Sequence, residues 1–82
     1  MADDLAAALV AMESAYRRGD AITLGRAAHT AKGLARGLGD SEPEFLAEGI
    51  EAACRDGSLA GVDERLARFA AILSGIRGAA LR

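Results

Sequence analysis

The chain contains one cysteine, one histidine and one lysine, and it has no tryptophan. A single cysteine cannot form an intrachain disulfide, and we expect a cytoplasmic protein because thiols stay reduced in that compartment. One histidine and one distant cysteine match no ligand spacing, so we predict no metal site. Cys54 itself lies among small residues, and we interpret it as a half-buried side chain rather than as a nucleophile.

Basic charge and long apolar runs are also scarce. The formal net charge is -2 and the isoelectric point is near 5.3, whereas a general nucleic-acid-binding domain has a net basic surface. No apolar run reaches the roughly 18 residues that a membrane span requires, and no signal-peptide pattern opens the chain. We therefore expect neither a nucleic acid nor a membrane among the partners.

Bulky apolar residues are few for a chain of this length. The sequence has 82 residues, of which 51% are apolar, but alanine is the commonest of these. We predict one domain over residues 1–82, with a thin core and helices that pack closely through small side chains. We expect a monomer rather than a homodimer, although so thin a core leaves room for a dimer.

The hydrophobic pattern has the three- and four-residue spacing of amphipathic helices. The first predicted helix has its apolar stripe within residues 5–16 and ends at Gly19. Asp20 can cap a second helix, which we predict to run to about Leu38 and to end at Gly39.

Capping signals also mark the last two helices. Ser41 and Glu44 have the spacing of a capping box, and Pro43 suits a first helical turn; this third helix is predicted to end within residues 55–57. Ser58 is predicted to open the fourth helix. The apolar stripe of that helix consists of Leu59, Val62, Leu66, Phe69, Leu73 and Ile76. Because short connections make consecutive helices antiparallel neighbours, the sequence predicts an all-α, up-down antiparallel four-helix bundle.

His29 lies on the opposite side of the second helix from its predicted core face. At about 100° per residue, His29 is about 170° from the middle of that face. The core face consists of Leu24, Ala27, Ala28, Ala31, Leu34, Ala35 and Leu38. This position argues against a buried core histidine, and it leaves an ordinary surface histidine as the alternative to a functional one.

The residues around His29 favour a functional interpretation. One or two helical turns away from it lie Ile22, Gly25, Arg26, Lys32, Gly33 and Arg36. Glu, Gln or Ala would be more usual on a helix face that only contacts solvent. The face around His29 is instead basic, lacks side chains at two positions and exposes an apolar residue. The pattern indicates a nucleophile beside an anion site, on a surface that receives a partner.

The segment AAHTAKG at 27–33, followed by LG at 38–39, resembles the H-x-x-K-G signature of histidine-containing phosphotransfer (HPt) domains. The segment IEAACRDG at 50–57 is similar to the L-E-x-x-x-x-x-G stretch in the next helix of that family. The resemblance covers roughly residues 10–75 of the sequence. It implies a phosphocarrier, rather than a stand-alone enzyme, that exchanges a phosphoryl group with the aspartate of response-regulator receiver domains.

By this resemblance His29 is the phosphorylated residue, and Lys32 assists by offsetting charge on the phosphoryl oxygens. The expected partner-binding residues are Ile22, Gly25, Arg26, Gly33 and Arg36. We also expect Arg26, Lys32 and Arg36 to favour the neutral imidazole through like-charge repulsion. The implied partners are a receiver domain and a sensor histidine kinase, hybrid or not. No cofactor is expected, since the receiver supplies the Mg²⁺.

Other interpretations stay open. A degenerate family member could bind a receiver or a kinase without phosphotransfer, although the intact His29, Lys32 and Gly33 count against this. In a dimeric phosphotransferase or a kinase-dimerisation bundle, two chains would share one core. An acidic residue typically follows the histidine in such helices, whereas Thr30 follows it here. A helical scaffold without either activity is the remaining alternative.

Overall fold

Four amphipathic helices form the structure, as the sequence pattern predicts. The computed structural model describes the backbone of residues 2–80 and the side chains of residues 4–75. The helices are α1 (Ala2–Arg18), α2 (Ala21–Arg36), α3 (Ser41–Asp56) and α4 (Val62–Ala80). Both α1 and α3 pack against α2 and against α4, so the four helices close a ring around one core. This arrangement confirms the predicted four-helix bundle. Within the described residues, no helix is long and apolar enough to cross a membrane.

The turn after α1 is a Schellman motif, in which the backbone reverses over a left-handed glycine. Gly19 has a φ of 68°, and its N–H donates to the Tyr16 carbonyl at 3.0 Å. The N–H of Asp20 donates to the Ala15 carbonyl at 3.0 Å. Gly57 ends α3 in the same way, with a φ of 75°. Left-handed backbone favours glycine, so the sequence itself specifies both helix ends.

Asp20 caps the start of α2, as predicted. Its carboxylate accepts hydrogen bonds from the Thr23 N–H at 3.1 Å and from the Thr23 hydroxyl at 2.6 Å. These two bonds, helped by the nearby Arg18 guanidinium, hold the pKa of Asp20 below its ordinary value. The cap therefore works best with an ionised Asp20.

The end of α2 lies earlier than predicted, at Arg36 rather than at Leu38. The N–H of Gly37 bonds to the Leu34 carbonyl at 3.2 Å, which tightens the last turn beyond the α-helical pattern. Gly39 then adopts a φ of 75° and turns the chain toward α3. Leu38 continues the apolar spacing of α2 through this turn, although it lies outside the helix. For this reason the sequence pattern predicts a helix two residues too long.

The N-cap of α3 is Asp40, and the predicted capping box is wrong. The Asp40 backbone is extended, and its carboxylate accepts a hydrogen bond from the Glu42 N–H at 3.0 Å. Ser41 is therefore the first helical residue rather than the cap. The Glu44 side chain pairs with Arg36 instead of returning to the helix start.

The fourth helix begins at Val62, so the predicted start at Ser58 is also wrong. Gly61 has a φ of 80°, which is incompatible with an α-helix continuing through it. Leu59 still packs against the core from the preceding turn. The side chain of Ile76, the last predicted stripe residue, lies outside the described side chains.

The core is thin and rich in alanine, as predicted. Its buried apolar residues are Leu5, Ala8, Leu9, Met12, Ala15, Leu24, Ala28, Ala31, Ala35, Ala47, Ile50, Val62, Leu66, Phe69 and Leu73. On α2, Leu24 is the one large residue of this set, and the other three are alanines. The remaining predicted core positions of α2, Ala27, Leu34 and Leu38, are half-buried against this cluster. Short side chains let α2 approach its neighbours closely, which brings the outer edges of α2 and α3 within reach of each other.

Candidate functional site

The helices α2 and α3 run antiparallel, and their facing edges form a seam of polar contacts. His29 and Lys32 of α2 both contact Glu51 of α3. Arg36, which lies later on α2, contacts Glu44, which lies earlier on α3. The α2–α3 seam, defined by these contacts, therefore places the histidine between two helices rather than on one isolated helix.

The imidazole of His29 is exposed and has one charged contact. Its side chain is 69% exposed, which confirms the position that the helical wheel predicts. Nδ1 lies 2.9 Å from Oε2 of Glu51. Because an ionised carboxylate only accepts hydrogen bonds, Nδ1 is the donor in this contact. In the neutral ring the lone pair is then on Nε2, the nitrogen that Glu51 does not contact.

Lys32 holds the same carboxylate from the other side. Its Nζ donates to Oε1 of Glu51 at 2.9 Å, and the two side chains are only 20% and 18% exposed. The hydrogen bond from Lys32 is the main reason that the pKa of Glu51 lies below its ordinary value. The contact with His29 lowers the pKa further, while burial raises it. Glu51 is therefore a carboxylate at neutral pH, and one acid joins two residues of α2.

The prediction that Arg26, Lys32 and Arg36 together favour the neutral imidazole needs correction. The Lys32 ammonium faces Glu51, and Nε of Arg36 donates to Glu44 at 2.7 Å. Two of the three expected cations are thus compensated by carboxylates, and the ring itself contacts an acid. Arg26 is the exception, since no carboxylate of the described residues lies within 4.0 Å of it.

A shallow groove of about 560 Å³ runs along the seam beside His29. It is lined by Ala21, Ile22, Gly25, Arg26, His29, Thr30, Glu51, Cys54 and Arg55. Three of the predicted partner-binding residues thus lie with His29 on one concave surface, and Ile22 among them is 71% exposed. The other two, Gly33 and Arg36, lie outside the lining of the groove.

The two glycines near His29 have different surroundings. A Cβ at Gly33 would meet no atom within 4 Å, and the residue is exposed, as predicted. A Cβ at Gly25 would lie 3.3 Å from the Cβ of Cys54. Gly25 therefore permits the close approach of α2 to α3. The prediction that it clears a solvent-facing surface is wrong in this respect, although Gly25 does line the groove.

Cys54 is half-buried, as predicted from its small neighbours. Burial raises the pKa of its thiol, and the nearby Glu51 carboxylate raises it further. The protonated thiol is a weak nucleophile, so Cys54 serves packing between α2 and α3. Among the described residues, no group of three or more His, Cys, Asp or Glu side chains could hold a metal ion.

The sequence interpretation assigned no role to Glu51, although this residue lies inside the IEAACRDG segment. One signal could have found it. Glu51 lies one helical turn from Ala47 and from Cys54, both of which turn inward, so a wheel places its carboxylate at the edge of the packed face. An acid at that edge is positioned to meet the neighbouring helix, where the lone lysine and the lone histidine lie one turn apart.

Comparison with known proteins identifies one family. The family model described as the Hpt domain matches residues 1–79, which include both helices of the seam and every residue of the candidate site. No curated protein and no solved structure matches the chain significantly.

Proposed function

Because the chain belongs to the Hpt domain family, a phosphotransfer module of two-component signalling, we propose that His29 accepts and returns a phosphoryl group. The donor is the aspartyl phosphate of a response-regulator receiver domain, and the acceptor in the return step is the free aspartate of a receiver. A sensor histidine kinase is the upstream source. The contact between His29 Nδ1 and Glu51 is the observation that supports this most, because it leaves Nε2 as the nucleophile of an exposed ring.

The proposed transfer needs no proton removal from the attacking atom. Nε2 uses its lone pair to attack phosphorus, and the N–P bond forms as the P–O bond to the aspartate breaks. The aspartate leaves as a carboxylate, while Nδ1 keeps its proton. The phosphorylated ring then has positive charge, which the Glu51 carboxylate offsets at 2.9 Å from Nδ1. The return reaction follows the same path in reverse.

Lys32 is proposed to act mainly through Glu51. An ammonium has three donor hydrogens, and the bond to Glu51 uses one of them. The remaining donors can meet phosphoryl oxygens, because Lys32 lies about one helical turn from His29. Lys32 is thus a positioning residue for the carboxylate, with a second role in offsetting phosphoryl charge as the sequence predicts.

Close approach of the receiver depends on what surrounds the ring. Gly33 lies about one turn beyond His29, and the space that a Cβ would occupy there is open, so no side chain obstructs the receiver at this position. Ile22, two turns before His29, supplies exposed apolar area for the contact. The Mg²⁺ in this scheme belongs to the receiver, and no cofactor is assigned to this chain.

The test is incubation with a panel of purified receiver domains, each phosphorylated with a small acyl phosphate. We expect acid-labile, base-stable phosphate on the parent chain, detected by intact-protein mass. The variant His29→Gln should gain none and should keep its helical circular dichroism, since the side chain is exposed. Phosphate on His29→Gln would contradict the proposal. Receiver binding without any transfer to the parent would instead favour the non-catalytic interaction module.

A further inference from the structure

The two ends of the α2–α3 seam have opposite net charge. At the end with Ile22, Arg26 and Arg55 are exposed, and no carboxylate of the described residues lies within 4.0 Å of either guanidinium. Toward the other end, Glu48 is exposed, and no cation of the described side chains lies within 4.0 Å of its carboxylate. The neighbouring Glu44 is paired with Arg36, and the same guanidinium interacts with Glu48 at longer range. Two carboxylates thus share one cation, which leaves this end net negative.

His29 lies between these charges. Arg55 follows Glu51 by about 6 Å of helix rise, and Glu48 precedes Glu51 by about 4.5 Å in the opposite direction. Arg55 lines the groove together with Ile22 and His29, which places it at the basic end of the seam. A partner centred on His29 therefore meets positive charge on one side and negative charge on the other.

We propose that this charge polarity selects the receiver and sets its orientation, an inference that rests on the proposed function. The preferred receiver has carboxylates facing Arg26 and Arg55, an apolar side chain against Ile22 and a basic side chain facing Glu48. Complementary charges accelerate association and fix the register of two surfaces. Receivers with the reverse polarity meet like charges at both ends and are rejected.

The exposed apolar residue and the charges have separate tasks in this proposal. Ile22 provides area that any receiver with an apolar docking face can cover, so it adds affinity with little discrimination. The charges at Arg26, Arg55 and Glu48 differ in sign along the seam, so they discriminate between receivers. Because all three are exposed, their effect should decline as added salt screens them.

The test compares charge-reversal variants on the panel of receiver domains phosphorylated with a small acyl phosphate. For the receiver that the parent uses best, Arg26→Glu and Arg55→Glu should each lower the second-order transfer rate about fivefold at low salt. The matched control is Arg17→Glu, which changes net charge equally at an exposed arginine on the α1–α4 side, where Asp63 and Leu66 are neighbours. Its rate should stay within about twofold of the parent.

A reciprocal reversal shows whether the charges meet directly. Replacing the facing carboxylate of that receiver with arginine should restore transfer to Arg55→Glu and should slow transfer to the parent. Glu48→Lys should shift the preference of the chain toward receivers that are acidic at the other end as well. All variants should stay folded, because the changed side chains are exposed. Arg17→Glu and Arg55→Glu should both lose a little thermal stability, since each places an acid in the last turn of its helix, and this shared loss makes Arg17→Glu a matched control.

The outcomes separate this inference from the proposed function. Equal losses in Arg17→Glu and Arg55→Glu, or no rescue by the reciprocal change, would overturn the polarity while His29 phosphorylation stands. Fluorescence anisotropy with labelled receivers gives a binding readout that needs no transfer. If binding falls only in Arg26→Glu and Arg55→Glu but the parent takes no phosphate, the polarity is supported and the phosphotransfer is not. Self-association that Arg55→Glu abolishes, without any effect on receivers, would assign the seam to a second copy and overturn the inference.

Discussion

Nδ1 of His29 and Oε2 of Glu51 lie 2.9 Å apart, and the second oxygen of Glu51 accepts a hydrogen bond from Lys32 at the same distance. One carboxylate on α3 thus orients an exposed ring on α2 and is itself held by a mostly covered lysine. The arrangement exists only while the two helices are packed against each other. Changes at Glu51 should therefore affect the chemistry of His29 without touching the ring.

We expect Glu51→Gln to slow phosphotransfer to His29 by about tenfold, the lower end of the effect seen when a carboxylate that orients a metal-binding histidine is removed. The neutral amide cannot offset positive charge on the phosphorylated ring. It can also donate to Nδ1 as readily as accept from it, so the ring loses its preference for a lone pair on Nε2. Single-turnover rates at saturating receiver measure the first effect, and ¹⁵N chemical shifts of the imidazole measure the second.

The control for this experiment is Glu64→Gln, which makes the same chemical change at an exposed position of α4. It should leave both the rate and the imidazole shifts unchanged. Parental rates in Glu51→Gln would show that the contact with His29 is incidental to transfer.

The lowered pKa of Glu51 predicts a loss of stability in acid. The pKa of Glu51 is near 4.5 in the unfolded chain and lower in the folded protein. Such a carboxylate contributes its full stability when the pH is above the unfolded pKa. The contribution is lost as the pH falls through the folded pKa. Lys32 is the largest cause of the shift, so Lys32→Met should flatten the decline in unfolding free energy below about pH 4.5. Urea denaturation between neutral and acidic pH measures it.

The unfolding free energy of Lys32→Met should still fall in acid, but by less than that of the parent. Asp20 and Glu42 also have lowered pKa values, through Thr23 and Arg68 respectively, and both contacts persist in the variant. Superimposable pH profiles for the parent and Lys32→Met would mean that the ion pair with Glu51 adds nothing to stability.

The fold could be predicted from the sequence largely because its signals are local. Periodic apolar residues and left-handed glycines such as Gly19 act within a turn or two of the chain. The start of α4 shows the limit of this approach. A serine such as Ser58 is a good cap in isolation, but Gly61 three residues later adopts positive φ, and no local rule requires a glycine to do so.

The candidate site was also predictable only in part. The exposure of His29 and Gly33 follows from the rotation of one helix, which the core face of α2 determines. The contact with Glu51 and the close packing at Gly25 depend on the rotation of α3 relative to α2. That rotation is set by the whole core, including the alanines that let the helices approach, and it cannot be derived from the spacing of residues in either helix alone.

Ile22 and Leu24 are two residues apart on α2 and should separate binding from stability. Leu24 is 0% exposed and Ile22 is 71% exposed. Leu24→Ala should cost about 2–5 kcal/mol as a core truncation, whereas Ile22→Ala should cost no more than about 0.5 kcal/mol. Leu34, being half-buried, should give an intermediate cost.

Urea denaturation measures the costs, and fluorescence anisotropy with labelled receivers should show weaker association for Ile22→Ala. Equal destabilisation by the Leu24 and Ile22 changes would contradict the helix rotation.

Gly33 should lower the stability of α2 and leave His29 accessible to the receiver. Because a Cβ there would meet no atom within 4 Å, Gly33→Ala should stabilise the bundle by about 0.5–1 kcal/mol through helix propensity and a less flexible unfolded chain. Gly33→Gln should also stay folded, but its longer side chain lies about 40° from His29 around the helix and should obstruct the receiver. We expect a steep fall in receiver-dependent phosphorylation, with urea denaturation and single-turnover rates as the two measurements.

Gly25 provides the control for this last prediction, because it lies in the same helix and differs in its neighbour. The Cβ of Gly25→Ala would lie 3.3 Å from the Cβ of Cys54, so α3 must shift slightly to admit it. Gly25→Ala should therefore gain less stability than Gly33→Ala, although the two share the same gain in helix propensity. Equal gains in stability would show that Cys54 moves aside at no measurable cost. Parental transfer rates in Gly33→Gln would show that the open surface beyond His29 does not serve the approach of the receiver.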